Sequence, residues 1–327
     1  MYTPPWHLRN PHIQAILSSS QIRRSVLSQQ HQSFLNQASW QELDAGEGIT
    51  LAGERNIANS TKPSDTLVVL FHGWEGSSKS NYIVSAAYQL CNADFDVFRL
   101  NFRDHGDTYA LNRGIFNSSL IDEVVGAVNN LQETTNYTRY AIMGFSLGGN
   151  FALRVGLHTE KLAKPLLGIF AVSPVIDPAN TMNVLRSGAF WYERYFAKKW
   201  ATSLRKKQEV FPEYDYGNTL NTLKTLDEMN EYFIPKYTNF DTVANYFQSY
   251  TLSGNTLANL RCPTLILAAE DDPVIPVSDF ATIARPTQLS VQITSKGSHC
   301  AYLESLTKAS YADRTAIEYF IKLIGKD

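Results

Sequence analysis

One segment of the chain is suited to nucleophilic chemistry: Gly144-Phe145-Ser146-Leu147-Gly148. It follows a strand-like apolar run, Tyr140–Met143, and opens a helix-like stretch, Leu147–Leu157. A serine between two glycines at a strand-to-helix turn reads as a nucleophile elbow. The glycines let backbones pass where a β-carbon would clash, and the helix N-terminus turns free N–H groups toward the reacting oxygen. A serine hydroxyl needs a base to become a nucleophile. Of seven histidines, His299 fits, on the loop after the late run Ser290–Ile293 at the expected carboxyl edge of a sheet. His7, His12 and His31 precede the core, and His158 ends the helix that Ser146 opens. His72 and His105 follow strands, with His72 reading as a brace for its own loop. The acid that orients the imidazole is expected at Asp272, one strand before the histidine loop. Asp271 is its immediate rival and Asp177 a more distant one. Two backbone donors would complete an oxyanion hole. They are the N–H of Leu147 and that of Trp74, in His72-Gly73-Trp74-Glu75-Gly76-Ser77-Ser78.

These groups can meet only if a sheet gathers their loops along one edge. Strand-like runs occur at Thr66–Phe71, Val97–Asn101, Tyr140–Met143, Leu166–Val172, Thr264–Ala268 and Ser290–Ile293, several apolar on both faces as in a buried parallel sheet. Helical stretches are expected at Tyr82–Cys91, Leu120–Gln132, Leu147–Leu157, Phe280–Ala284 and Asp313–Ile324. Leu120, Val124, Val125, Val128 and Leu131 recur at three- and four-residue intervals, as on one apolar helix face. The alternation implies an α/β fold with a mostly parallel central sheet and helices on both faces. Trp40–Leu43 and Ile49–Arg55 read as antiparallel edge strands. From Pro178 to Ala258 no strand is visible, and the interval holds 16 of the chain's 39 aromatic residues. Such a stretch is too long for an ordinary loop and is expected to be a mainly helical cap whose aromatics line an acyl pocket, Trp191 among them. The expected division is a core of residues 1–177 and 259–327, with an N-terminal extension over about 1–40, and an inserted cap of residues 178–258.

Composition narrows the function classes. With 29 Lys+Arg against 31 Asp+Glu the chain has no overall basic field for nucleic acid. Its 44% apolar content excludes disorder, and its apolar runs fall well short of the ~20 residues of a membrane span. Three scattered cysteines, Cys91, Cys262 and Cys300, suit neither a disulfide framework nor a zinc site. With no secretory pattern at the start, a cytoplasmic location is expected. Between Arg186 and Lys207 stand seven basic residues and one acid, Glu193, with Trp191, Tyr195 and Trp200 interleaved. That run reads as a solvated helix face or as a basic surface resting on anionic lipid.

With the elbow, the His-Gly loop and the order Ser146, Asp272, His299, the chain resembles the α/β-hydrolase superfamily. It is similar in particular to the YheT-like branch of esterases and lipases. Three segments carry that likeness: Pro5-Trp6-His7-Leu8-Arg9-Asn10-Pro11-His12-Ile13-Gln14, Asn101-Phe102-Arg103-Asp104-His105-Gly106, and Ala269-Glu270-Asp271-Asp272-Pro273-Val274-Ile275-Pro276. The family's acid stands four residues before a proline, which selects Asp272 with Pro276. The resemblance implies a serine hydrolase cleaving carboxylic esters through an acyl-enzyme on Ser146, with no metal or organic cofactor. A small-molecule ester with an apolar acyl chain is the expected partner. Trp74 stands where relatives often have a small apolar residue, which implies a narrower acyl pocket. Acyl transfer by the same triad is the alternative, followed by a non-catalytic binding module.

Overall fold

The computed structural model describes residues 2–188, 190–216 and 219–325, with the backbone alone for Phe190. Of the expected cap, Ala189, Gly217 and Asn218 lie outside the described residues. Helices α1 (Pro11–Ser19), α2 (Gln21–Gln30) and α3 (Gln32–Asn36) come first, then the hairpin β1 (Ser39–Asp44) and β2 (Thr50–Asn56). Strands and helices then alternate: β3 (Thr66–Phe71), α4 (Asn81–Asn92), β4 (Asp96–Asn101), α5 (Ile121–Thr134), β5 (Arg139–Phe145), α6 (Leu147–Leu157) and β6 (Leu166–Val172). Next come α7 (Pro178–Ser187), α8 (Phe190–Val210), α9 (Thr219–Thr222), α10 (Leu226–Tyr237) and α11 (Val243–Ser249). The chain returns to the sheet with β7 (Thr264–Ala269) and β8 (Leu289–Thr294) and ends in α12 (Tyr311–Ile324).

The strand order is β1-β2-β4-β3-β5-β6-β7-β8. Every pairing from β4 to β8 is parallel, and β2 runs against both neighbours. Side chains alternate across the central strand, so its two faces enter different cores. Leu67, Val69 and Phe71 pack with Val124 and Val128 of α5 and Phe151 of α6. Val68 and Leu70 pack with Ile83 and Leu90 of α4 and Phe320 of α12. Burial on both faces explains why β3 is apolar at five of its six positions. The chain leaves β3 toward β4 and later returns to β3's other side as β5. This reversal sets the carboxyl ends of β3 and β5 side by side, the usual ligand crevice of an open α/β sheet.

One local outcome differs from the sequence expectations. The helix expected at Phe280–Ala284 is instead a short 3-10 turn over Val277–Ala281, bonded from Asp279 N–H to the Pro276 carbonyl and from Thr282 N–H to the Asp279 carbonyl. Pro286 biases Arg285 away from the helical region, which opposes extension of the turn in that direction. The N-terminal extension is helical. Asn10 caps α1, accepting from His12 and Ile13 N–H with Pro11 in the first turn, and Ser20 caps α2. Among the described residues no helix is long and apolar enough to cross a membrane.

Candidate active site

Ser146 sits between β5 and α6 at φ 55° and ψ −119°, a conformation an L-residue adopts only when its surroundings enforce it. A β-carbon on Gly144 would strike the Gly148 carbonyl, and one on Gly148 would strike the carbonyls of Phe71 and His72. Only glycine at both positions lets the turn close while α6 packs against the end of β3. The strain aims the Ser146 hydroxyl at His299, whose Nε2 lies 3.0 Å from Oγ. His299 Nδ1 lies 3.0 and 3.1 Å from the two carboxylate oxygens of Asp272. The Asp272 side chain is 2% exposed, and its Oδ1 also accepts the N–H groups of Val274 and Ile275. These bonds fix the carboxylate, which fixes a proton on Nδ1 and leaves Nε2 as the acceptor.

Asp271 turns away from the imidazole. Its Oδ1 accepts the Ser298 N–H, and its Oδ2 lies 3.7 Å from Lys296 Nζ. It therefore shapes the histidine loop, in which Ser298, Cys300 and Tyr302 all have positive φ. Asp177, the distant rival, caps α7 through the Asn180 N–H. The N-terminal extension supports the same loop from outside: Ser298 donates to the Pro11 carbonyl, and the Gln14 side chain accepts from Leu303 N–H.

The second loop of the site follows β3. His72 donates from Nδ1 to the Gly73 carbonyl and accepts the Phe102 N–H at Nε2. His105 donates to the Arg103 carbonyl and accepts the Glu75 N–H. Burial and the nearby His105 hold His72 well below the usual histidine range, and burial pushes His105 down to about 4. Both rings are neutral braces. Tyr82 accepts the Gly73 N–H and fixes the loop beside Ser146. Among the described residues no hydrogen bond engages the N–H of Trp74 or of Leu147, the first residue of α6. Both residues line the same cavity as Ser146 and His299.

Residues 66–306 match the sequence model of the α/β-hydrolase fold. The chain belongs to that family. An abhydrolase domain-containing protein of Dictyostelium discoideum is 21% identical over 97% of this chain and 80% of its own length. The medium-chain fatty acid ethyl ester synthase/esterase 2 of Saccharomyces cerevisiae is 23% identical over 78% of this chain, a match spanning 62% of the yeast protein. The solved structure of a Pyrococcus furiosus esterase aligns with TM-score 0.57 at 17% identity, covering 90% of this chain and 94% of its own.

On this α/β-hydrolase fold the cavity over Ser146 measures about 240 Å³. Val175, Met182, Leu185, Ile234, Tyr246 and Phe247 are among its apolar lining. Ser18, Ser19, Arg24, Asn81 and Lys199 are among its polar lining. Trp74 does border the space, stacked on Phe196 at 5.5 Å and edge-on to Trp200 at 5.6 Å. Trp191, singled out from sequence as an acyl-pocket aromatic, does not line the cavity and is 46% exposed. Trp200, two and a half turns further along α8, takes the inward place.

Within the basic run of α7 and α8, Lys207 is buried, whereas Arg186, Arg194, Lys198, Arg205 and Lys206 are exposed. Lys207 is buried against Asp104 at 2.8 Å and the carbonyls of Tyr109 and Asn112. Arg186 pairs with Asp227, Lys206 with Asp107, Arg205 bonds Asn221, and Lys199 donates to the Glu75 carbonyl. Sequence reasoning missed the cavity-lining Ser18, Ser19 and Arg24. Ser18 and Ser19 lie on α1, whose Asn10-Pro11 start marks a helix but not where it docks, and Arg24 lies on α2, which Ser20 caps. It also missed Glu75, whose carboxyl accepts from Ser203 of α8 at 2.5 Å and which burial pushes up to about 7. Among the described residues no group of three or more His, Cys, Asp or Glu could hold a metal ion.

Proposed function

We propose that the chain is a serine hydrolase of carboxylic esters acting through an acyl-enzyme on Ser146. The observation that carries this reading is the chain of contacts from Ser146 Oγ to His299 Nε2 and from His299 Nδ1 to Asp272, at the wall of a largely apolar cavity. His299 takes the Ser146 proton as Oγ attacks the ester carbonyl. The N–H groups of Trp74 and Leu147 hold the oxyanion, and Asp272 stabilises the imidazolium. His299 then protonates the leaving alkoxide, and collapse of the tetrahedral intermediate releases the alcohol. A water deprotonated by His299 attacks the acyl-enzyme; a second tetrahedral intermediate breaks down to the free acid and restored Ser146.

The apolar lining of the cavity supports an apolar acyl chain as substrate. Each buried methylene contributes about 0.8 kcal/mol, or roughly fourfold in kcat/KM, until the space is full. In this reading residues 178–258 are an inserted cap that supplies Met182, Leu185, Ile234 and Tyr246 to the pocket. An alcohol admitted in place of water would make the same residues an acyltransferase. The yeast relative's name, which joins synthase and esterase, supports keeping that route. The test is labelling by a fluorophosphonate. The natural chain should be labelled and the folded Ser146→Ala variant should not; labelling that persists in the variant would overturn Ser146 as the nucleophile.

A further inference from the structure

Exposed apolar side chains gather where two helices border the mouth of the Ser146 cavity. On α1, His12, Ile16 and Ser19 follow at i, i+4 and i+7 and so share one helix face. His12 meets the Trp191 ring edge-on with centroids 5.9 Å apart, its Nδ1 lies 3.2 Å from the Tyr192 hydroxyl, and Ser19 lines the cavity. On α8, Trp191, Tyr195 and Lys198 repeat that spacing, and Tyr195 lines the cavity as well. Ile16 is 58% exposed, Ile13 and Tyr195 each 46%, and Trp6, just before α1, 81%. Single exposed apolar residues are ordinary, but a group of them at the rim of a ligand cavity marks an interaction surface.

The unpaired charge around this rim is mainly positive, for Glu193 of α8 accepts the Leu226 N–H and Glu75 of the cavity wall accepts from Ser203. No Asp or Glu occurs in the first 41 residues, which carry Arg9, Arg23 and Arg24, although the whole chain has a net charge of -2. Arg23 is buried and donates to the Ser305 carbonyl. Arg9, Arg24, Arg194 and Lys198 have no carboxylate partner among the described residues. Arg24 lines the cavity, and Arg194 and Lys198 stand on α8 beside Tyr195. Cations interleaved with Trp, Tyr and Ile fit the boundary of a bilayer. There the rings sit at headgroup level, the aliphatic groups enter the acyl region, and the cations meet lipid phosphates.

We propose that this face, formed by α1 and the first half of α8, docks on an anionic lipid surface and holds the mouth of the cavity against it. An acyl chain can then pass from lipid to cavity with little exposure to water. The use of the docking rests on the ester-hydrolase reading, whereas the docking itself does not.

The experiment is flotation of the full chain with vesicles of phosphatidylcholine alone and with about one-third phosphatidylglycerol. The chain should float with the anionic vesicles and far less with the neutral ones, and high salt should release it. Each basic residue near an anionic bilayer strengthens binding about fivefold, so Arg194→Gln with Lys198→Gln should weaken it roughly 25-fold. Ile13→Ser with Ile16→Ser should weaken it as well. None of these four lines the cavity, so hydrolysis of a dissolved acetate ester should be unchanged in both variants. Flotation by a chain that hydrolyses no ester would leave the docking standing and overturn only the proposed function. A chain that hydrolyses esters but does not float, or whose flotation ignores both pairs of substitutions, would overturn the docking. So would a dimer dispersed by the same substitutions with no flotation, since the face would then belong to a second copy.

Discussion

Asp272 and Asp271 are neighbours in sequence, and their conservative variants should separate sharply. In Asp272→Asn one side-chain position is decided by the backbone. The N–H groups of Val274 and Ile275 converge on Oδ1 at 2.8 and 3.0 Å, so the amide oxygen must stay there. The new NH2 group then takes the place of Oδ2, 3.0 Å from His299 Nδ1. It can only donate, so it favours the tautomer with Nδ1 unprotonated and the proton on Nε2. That proton faces Ser146 Oγ at 3.0 Å, where a base needs a lone pair. The loss of the carboxylate also leaves the developing imidazolium without its counter-charge. Together these effects are expected to lower kcat by about 10³- to 10⁴-fold at neutral pH, on the order of 4–5.5 kcal/mol of transition-state stabilisation.

Asp271→Asn keeps an acceptor for the Ser298 N–H and loses only a charge 3.7 Å from the half-exposed Lys296. Its activity is expected to fall less than about tenfold. The assay is kcat and KM on a soluble nitrophenyl ester for both variants, with thermal unfolding to establish that each is folded. Similar losses in the two folded variants, or a loss below about tenfold for Asp272→Asn, would refute the assignment of the orienting acid.

Gly148→Ala should destabilise the chain by more than about 2 kcal/mol, read from the urea midpoint, because its β-carbon meets two backbone carbonyls that cannot move without disturbing the end of β3. Glu75 stands at about 7 in the folded chain, raised first of all by burial, and higher than in the unfolded chain. Its contribution is therefore full below about pH 4.5 and is lost as pH rises through about 7. Glu75→Gln keeps a partner for Ser203 and should flatten that part of the stability–pH curve, making the variant more stable than the natural chain at pH 8 by about 1–2 kcal/mol. Equal slopes in the two proteins would refute this. Met182 belongs to the apolar lining of the cavity, so Met182→Trp should shorten the preferred acyl chain in a series of nitrophenyl esters and spare the acetate. An unchanged profile would place the acyl chain elsewhere.

Much of the site was legible because its signals are local. The Gly144–Gly148 turn, the loop after β3 and the histidine loop each announce themselves within a few residues, and the strand order does the rest. The role of the N-terminal extension was not local. Gln14 reaches Leu303 across 289 positions and Ser298 reaches Pro11 across 287, so helix-start signals revealed that α1 exists but not that it supports the histidine loop. The basic run of α7 and α8 divides in a way its charge count does not disclose: Lys207 is buried on Asp104, Arg186 and Lys206 pair with Asp227 and Asp107, and Arg194 and Lys198 stay exposed with no carboxylate partner among the described residues.

Helical period could have sharpened the reading of α8. Phe196, Trp200 and Leu204 recur at i, i+4 and i+8, and Ala197 and Lys207 fall beside that stripe; Trp200, Leu204, Ala197 and Lys207 are buried. Trp191 and Lys198 fall on the other stripe and face solvent. A lysine on a buried stripe is itself informative, since an ammonium taken from water must gain a charge partner or several acceptors. The position of Lys207 therefore implies a carboxylate from another element. Asp104, in the segment after β4 that also holds His105, supplies it. That pair ties α8 to the brace beneath Glu75, and so joins the helix that borders the cavity to the loop that carries the Trp74 N–H.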